Sequence, residues 1–214
     1  MKKILYILLL LPIFMAGCRK DPSNKNGNAD SYEGYVIQGK MKGVIVANSN
    51  LEQPFVMTFM AGNKVKLVNV SGETTLNYSV QEGKLVLDDN GYFNVVNKQI
   101  TDWVIAGLNI TKATLIAKPA TNQLRGKKFS GTLQYSGLPF TFDTELDFDA
   151  NADNVVFPGA DPPQYSYTPQ GNVAGYLYDS PSKSGLFFMI DNGKLEYASY
   201  SPESGVAVTT LNPK

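Results

Sequence analysis

The segment "KKFSGTLQY" (127–135) places Phe129, Gly131, Leu133 and Tyr135 on one face of an extended chain, and Lys128, Ser130, Thr132 and Gln134 on the other. Side chains alternate across a strand, so this pattern suits a half-buried strand and not a helix, whose apolar positions recur every three or four residues. The alternation recurs along the chain. "LNYSV" sets Leu76, Tyr78 and Val80 on one side, and "NKVKLV" sets Val65 and Leu67 against Lys64 and Lys66. Between such runs lie Asn90-Gly91 and Asn192-Gly193. These are hairpin dipeptides, because both central residues of a type I′ turn need positive φ. Gly62-Asn63, Glu82-Gly83 and Gly171-Asn172 mark further turns. Only "ITDWVIAGL" (100–108) reads as a short helix. The fold class is all-β, an antiparallel meander.

The chain also repeats itself. "GKMKGVI" (39–45) matches "KKFSGTL" (127–133), with Met41 on Phe129, Gly43 on Gly131 and Ile45 on Leu133. "QPFVM" (53–57) matches "LPFTF" (138–142). "LNYSVQEGKL" (76–85) lies over "YSYTPQGNVA" (165–174), pairing Tyr78 with Tyr167 and Gln81 with Gln170. "ITKATLIA" (110–117) answers "DNGKLEYAS" (191–199). The expected organisation is two similar β halves, 34–123 and 124–214. In the first half, "NYSVQEGKLVLDDNGYFNVV" followed by "LNITKATLIAK" resembles the short lipocalin-like domains of bacterial lipoproteins, over roughly residues 40–118. That resemblance implies a small barrel in each half. The family's opening Gly-x-Trp, whose indole plugs the barrel floor, is replaced here by "GKMKG", and the only tryptophan is Trp103. A β-sandwich of the two halves therefore stands as the alternative.

The start of the chain has a different character. Lys2 and Lys3 precede an apolar run from Ile4 to Phe14, too short for the ~20 residues of a membrane-spanning helix. A charged start, a short apolar middle and small residues before a cut site are the layout of a secretory signal. "FMAGC" resembles the lipobox of bacterial lipoproteins. The resemblance implies removal of residues 1–17, a diacylglycerol on the Cys18 sulfur and a fatty acyl group such as palmitate on its amine. Several acyl chains hold a protein stably at a membrane, at about 0.8 kcal/mol per buried CH₂. Residues 18–33, with "RKDPSNKNGNADSYE", read as a flexible polar tether. Arg19 stands where an Asp would favour inner-membrane retention in that family, so the implied address is the outer membrane, on its periplasmic or surface face.

Composition restricts the chemistry. Removing the leader leaves 17 basic against 19 acidic side chains, a formal charge of −2 and no electrostatic footprint for nucleic acid. There is no histidine, so the commonest general base and neutral metal ligand are missing. With Cys18 acylated no thiol is left either. "SPSK" (180–183) matches Ser-x-x-Lys but overlaps the following "KSG" in one Pro-Ser loop, whereas the serine acyl-transferases hold those motifs far apart. No phosphate-binding glycine motif is present. The chain is expected not to be an enzyme.

One polar run stands out. In "FTFDTELDFDANADN" (140–154), Phe140, Phe142, Leu146 and Phe148 share one parity, and Asp143, Glu145, Asp147 and Asp149 share the other. The first set reads as a core face and the second as an acidic face that needs cross-strand lysine or a cation. Asp147, Asp149, Asn151 and Asp153 supply oxygen at alternate positions, as at the start of a calcium loop. Ala152 and Pro158 stand where that loop needs Gly and Glu, and an Asn/Asp turn is the other reading. Aromatic residues concentrate in the second half, including Tyr165, Tyr167, Tyr176, Tyr178, Tyr197 and Tyr200. They read as core pairs or as an exposed face for sugars or protein. The expectation is a lipid-anchored envelope protein that binds a small apolar or glycan ligand. The alternative is a structural lipoprotein with a filled core that docks an envelope protein.

Overall fold

The computed structural model describes residues 31–43, 50–160 and 164–214. The signal segment, Cys18 and the tether as far as residue 30 lie outside the described residues.

The first half contains β1 (Tyr35–Lys42), β2 (Gln53–Met60), β3 (Lys64–Asn69), β4 (Gly72–Gln81), β5 (Lys84–Leu87), β6 (Gly91–Val96), β7 (Gln99–Ile105) and β8 (Asn109–Ala117). Each strand pairs antiparallel with the next as far as β7, and β1 also pairs with β8. The ladder is therefore open only between β7 and β8. Trp103 crosses that gap, its indole Nε1 donating to the Ile110 carbonyl at 3.0 Å.

The second half contains β9 (Lys128–Gln134), β10 (Thr141–Phe148), β11 (Asn154–Val156), β12 (Gln164–Ser166), β13 (Thr168–Gln170), β14 (Ala174–Asp179), β15 (Ser184–Asp191), β16 (Lys194–Ser201) and β17 (Gly205–Pro213). Here β9 pairs with β17, and the only open step is between β12 and β13. Those two are one bent strand interrupted at Tyr167. They correspond to β4, whose residues up to Asn77 pair with β3 and whose residues from Tyr78 pair with β5. Both halves are thus nearly closed, barrel-like meanders with eight strand positions. A ring of that size has an interior just wide enough to be filled by side chains or to hold one small ligand. The barrel reading is the one realised, and the sandwich is not.

The repeat holds at Tyr78 and Tyr167, which mark the same partner switch. Two other matches shift. Segment 110–117 is β8, whose counterpart by pairing is β17, so "DNGKLEYAS" on β15 and β16 is not its equivalent. Gly39, not Gly43, occupies the place of Gly131. A Cβ on Gly39 would sit 1.9 Å from the Lys112 carbonyl oxygen, and one on Gly131 would sit 2.7 Å from a Leu211 methyl. Each glycine lets the first strand of its barrel cross close to the last. "ITDWVIAGL" is not helical: Ile100–Ile105 belong to β7. Tyr32, placed by sequence at the end of the tether 18–33, is 4% exposed and packs edge-on against Tyr35 and Tyr78.

The two barrels share an apolar seam. Val36, Val56, Val68 and Val70 from the first meet Val173, Ala174, Phe187, Met189 and Ala198 from the second. Beside it, Lys40 pairs with Glu196 at 3.0 Å and Lys112 pairs with Asp191. Gly185 allows β15 to approach the Val70 carbonyl, which would lie 2.3 Å from any Cβ there.

Candidate functional site

The interiors of the barrels differ. In the first, Met41, Phe55, Leu87, Phe93, Ile105 and Ile110 fill the end toward which β1 runs, and all are buried. In the second, large side chains fill only the opposite end. Phe129, Phe148, Tyr167 and Phe188 meet edge to face at centroid distances of 5.3–6.1 Å. Tyr197 lies on the inner side of this layer, 6.4 Å from Phe188 with the ring planes inclined by 29°.

Above Tyr197 the barrel opens into a cavity of about 610 Å³. Register explains the space. Inward positions that line it carry Thr144 on β10, Ser184 on β15, and Ser199 and Ser201 on β16. Small side chains here leave unfilled what large ones fill in the first barrel.

The wall changes along its depth. Near the floor stand Leu133, Leu177, Leu186 and the Tyr197 ring, and toward the mouth stand Tyr135, Ser182, Ser184, Ser199, Ser201 and Asp179. Ser199 Oγ donates to the Tyr135 hydroxyl at 3.0 Å, and Phe157 meets Tyr165 edge to face at 5.7 Å. Full burial drives the Tyr197 phenol far above its ordinary pKa, so it stays a neutral hydroxyl. Asp179 is the single carboxylate among the described lining residues, and none of them is basic. Its Oδ2 accepts from the Ser182 N–H at 3.3 Å. The "SPSK" loop is the exposed β14–β15 turn at the rim.

Two residues read as core from the sequence are at the rim instead. Phe140 is 52% and Phe142 39% exposed, their rings 4.9 Å apart. Leu146 and Phe148, further along the same face, are buried. Of the tyrosines singled out above, Tyr165, Tyr178, Tyr197 and Tyr200 line the cavity, Tyr167 belongs to the floor and Tyr176 packs on the seam between barrels.

The acidic run has protein partners. Glu145 pairs with Lys214, and Asp147 with Lys128. Asp149 accepts from the N–H groups of Asn151 at 2.6 Å and Ala152 at 3.0 Å, which makes an Asx turn. Asp153 accepts from Arg125 Nε at 2.9 Å and Asn122 Nδ2 at 3.0 Å, and the guanidinium hydrogen bond holds its pKa below the usual carboxylate value. Asp147, Asp149, Asn151 and Asp153 are therefore not drawn to one point. Among the described residues no group of three or more acidic, histidine or cysteine side chains is placed to hold a metal ion.

The cavity was not marked in the sequence by any motif. Its signal is the inward face of "KLEYASYS", which runs Leu195, Tyr197, Ser199, Ser201 from apolar to hydroxyl. That is legible only once the inward face is known. No protein-family model, curated protein or solved structure matches the chain.

Proposed function

We propose that the chain is a lipid-anchored protein of the cell envelope whose second barrel holds a small ligand without catalysing a reaction. The observation that carries this is the open cavity of about 610 Å³ beside a first barrel of the same topology that is filled. Ligand sites span roughly 300–1,000 Å³ and combine an apolar wall with a few polar groups. Among the described residues the lining adds hydroxyls that bind and orient and one carboxylate, Asp179, but no thiol and no basic side chain, which suits retention of a ligand better than bond-making. The "FMAGC" sequence and the charged, apolar leader support an anchor at Cys18.

Native mass spectrometry of the protein purified from its own host tests the binding role. A co-purifying small molecule is expected, and it should be lost in Ser184→Trp, whose indole would fill the mouth. Palmitate labelling of wild type against Cys18→Ser tests the anchor, and equal labelling of the two would refute it.

A second reading has its own support. Phe140, Phe142 and Tyr178 are exposed rings beside the mouth, a composition suited to a protein partner docking there. Loss of partner capture in Phe140→Ser/Phe142→Ser, with ligand binding intact, would favour it.

A further inference from the structure

We infer that the cavity takes an amphipathic ligand, with a short apolar end seated on the Tyr197 floor and an uncharged, hydroxyl-rich head at the mouth. This rests on the binding role proposed above and adds to it the class of ligand.

The grading of the wall is the first ground. Four strands change character in the same direction. Leu133 on β9 gives way to Tyr135 just past its end, Leu177 to Asp179 on β14, Leu186 to Ser184 on β15, and Tyr197 to Ser199 and Ser201 on β16. A wholly apolar ligand would cover the serine and tyrosine hydroxyls and strip their water without replacing its hydrogen bonds. A wholly polar one would lay its hydroxyls against the three leucines. A ligand with one end of each kind meets both walls.

Charge is the second ground. Among the described residues that line the cavity there is one carboxylate and no cation. Lys183 lies in the rim turn but does not line the cavity. An anionic head would lose water beside Asp179 with no counter-charge in the lining, which disfavours fatty carboxylates and phosphates. A cationic head would meet one exposed carboxylate that water screens and that already accepts from Ser182. Serine and tyrosine hydroxyls both donate and accept, which matches a head made of hydroxyls.

Calorimetric titration of the full chain carrying Cys18→Ser, in detergent-free buffer, separates these heads. Three monomeric probes share one eight-carbon tail: octyl β-glucoside, octanoate and octylammonium. The glucoside is expected to bind about tenfold or more tighter than either ion, a difference of about 1.4 kcal/mol. Ser184→Trp should abolish its binding. Asp179→Asn, an exposed change that removes the one carboxylate of the lining, should raise octanoate affinity about threefold. No binding of any probe would overturn the binding role itself. Equal affinities, or an ion bound tightest, would keep the cavity as a binding site and overturn the head-group assignment. Binding that survives Ser184→Trp would place the site elsewhere and overturn the inference.

Discussion

Tyr197 is both the floor of the cavity and an ionisable group held where ionisation is costly. Its phenol is fully buried, and burial is the main cause of its raised pKa, with the nearby Tyr135 adding to it. In the unfolded chain the same phenol ionises near pH 10. Above that pH the unfolded state gives up a proton that the folded state keeps. The stability linked to this group is therefore complete below about pH 10 and is lost as pH rises beyond it. Urea midpoints should hold steady up to about pH 9.5 and then fall. In Tyr197→Phe the alkaline fall should be shallower, because one of the protons being titrated is gone. Buried Tyr167 and half-buried Tyr176 are raised by burial as well, so the slope does not vanish. Identical slopes in wild type and variant would mean that Tyr197 does not control the alkaline limb. Trp103 acts by a neutral hydrogen bond instead, the one that bridges β7 and β8. Trp103→Phe keeps most of the ring and removes that bond, so a loss of about 1 kcal/mol is expected. Hydrogen exchange should quicken most at β7 and β8.

At the scale of elements, the turn from β10 to β11 depends on Asp149. Its carboxylate satisfies two backbone N–H groups, so Asp149→Ala should cost about 1 kcal/mol, measured by chemical denaturation. A calcium titration of the wild type separates this turn from a cation site: no rise in melting temperature is expected, and a rise would restore the calcium reading. The strands themselves were legible where alternation was clean, as in β3 and β9. They were misread where a bulge breaks the period. In β7 the ladder pairs Asn94 with Asp102 but Val95 with Ile100, so Thr101 is the extra residue. Ile100 and Trp103 both pack against the first core as a result, and their spacing of three imitates a helix. A similar shift on β8 leaves Thr111 extra between Ile110 and Lys112, which obscured the true counterpart of that strand. On β10 the parity was right, yet alternation carries no information on depth. Phe142 and Leu146 share a face, and only the barrel's length makes one rim and the other core. For the same reason the cavity stayed hidden, since emptiness depends on several strands contributing small residues at one height.

The described residues of the molecule form two barrels of like topology joined through an apolar seam, and that joint governs how they unfold. Val36 of β1, Val56 of β2 and Val68 of β3 are fully buried against β15 and β16, so neither barrel can open without exposing apolar surface on the other. Glu196, 7% exposed, also relies on Lys40 from across the joint, and Thr210 Oγ1 donates to it at 2.9 Å. Separating the halves would break that ion pair and expose the apolar seam to water. Thermal unfolding is therefore expected as a single transition with equal calorimetric and van't Hoff enthalpies. Gly185 is the sharpest probe of this. Its added methyl would meet the Val70 carbonyl, a backbone atom that cannot rotate away, so the barrels must shift apart to admit it. Gly185→Ala should cost about 1–3 kcal/mol, as overpacking does in a tight interior. Gly34→Ala, where nothing lies within 4 Å of the new carbon, should stay within about 0.5 kcal/mol of wild type. Gly185→Trp should go further and split the calorimetric trace into two transitions, one per barrel. A single undisturbed transition in Gly185→Trp would show that the seam carries none of the cooperativity.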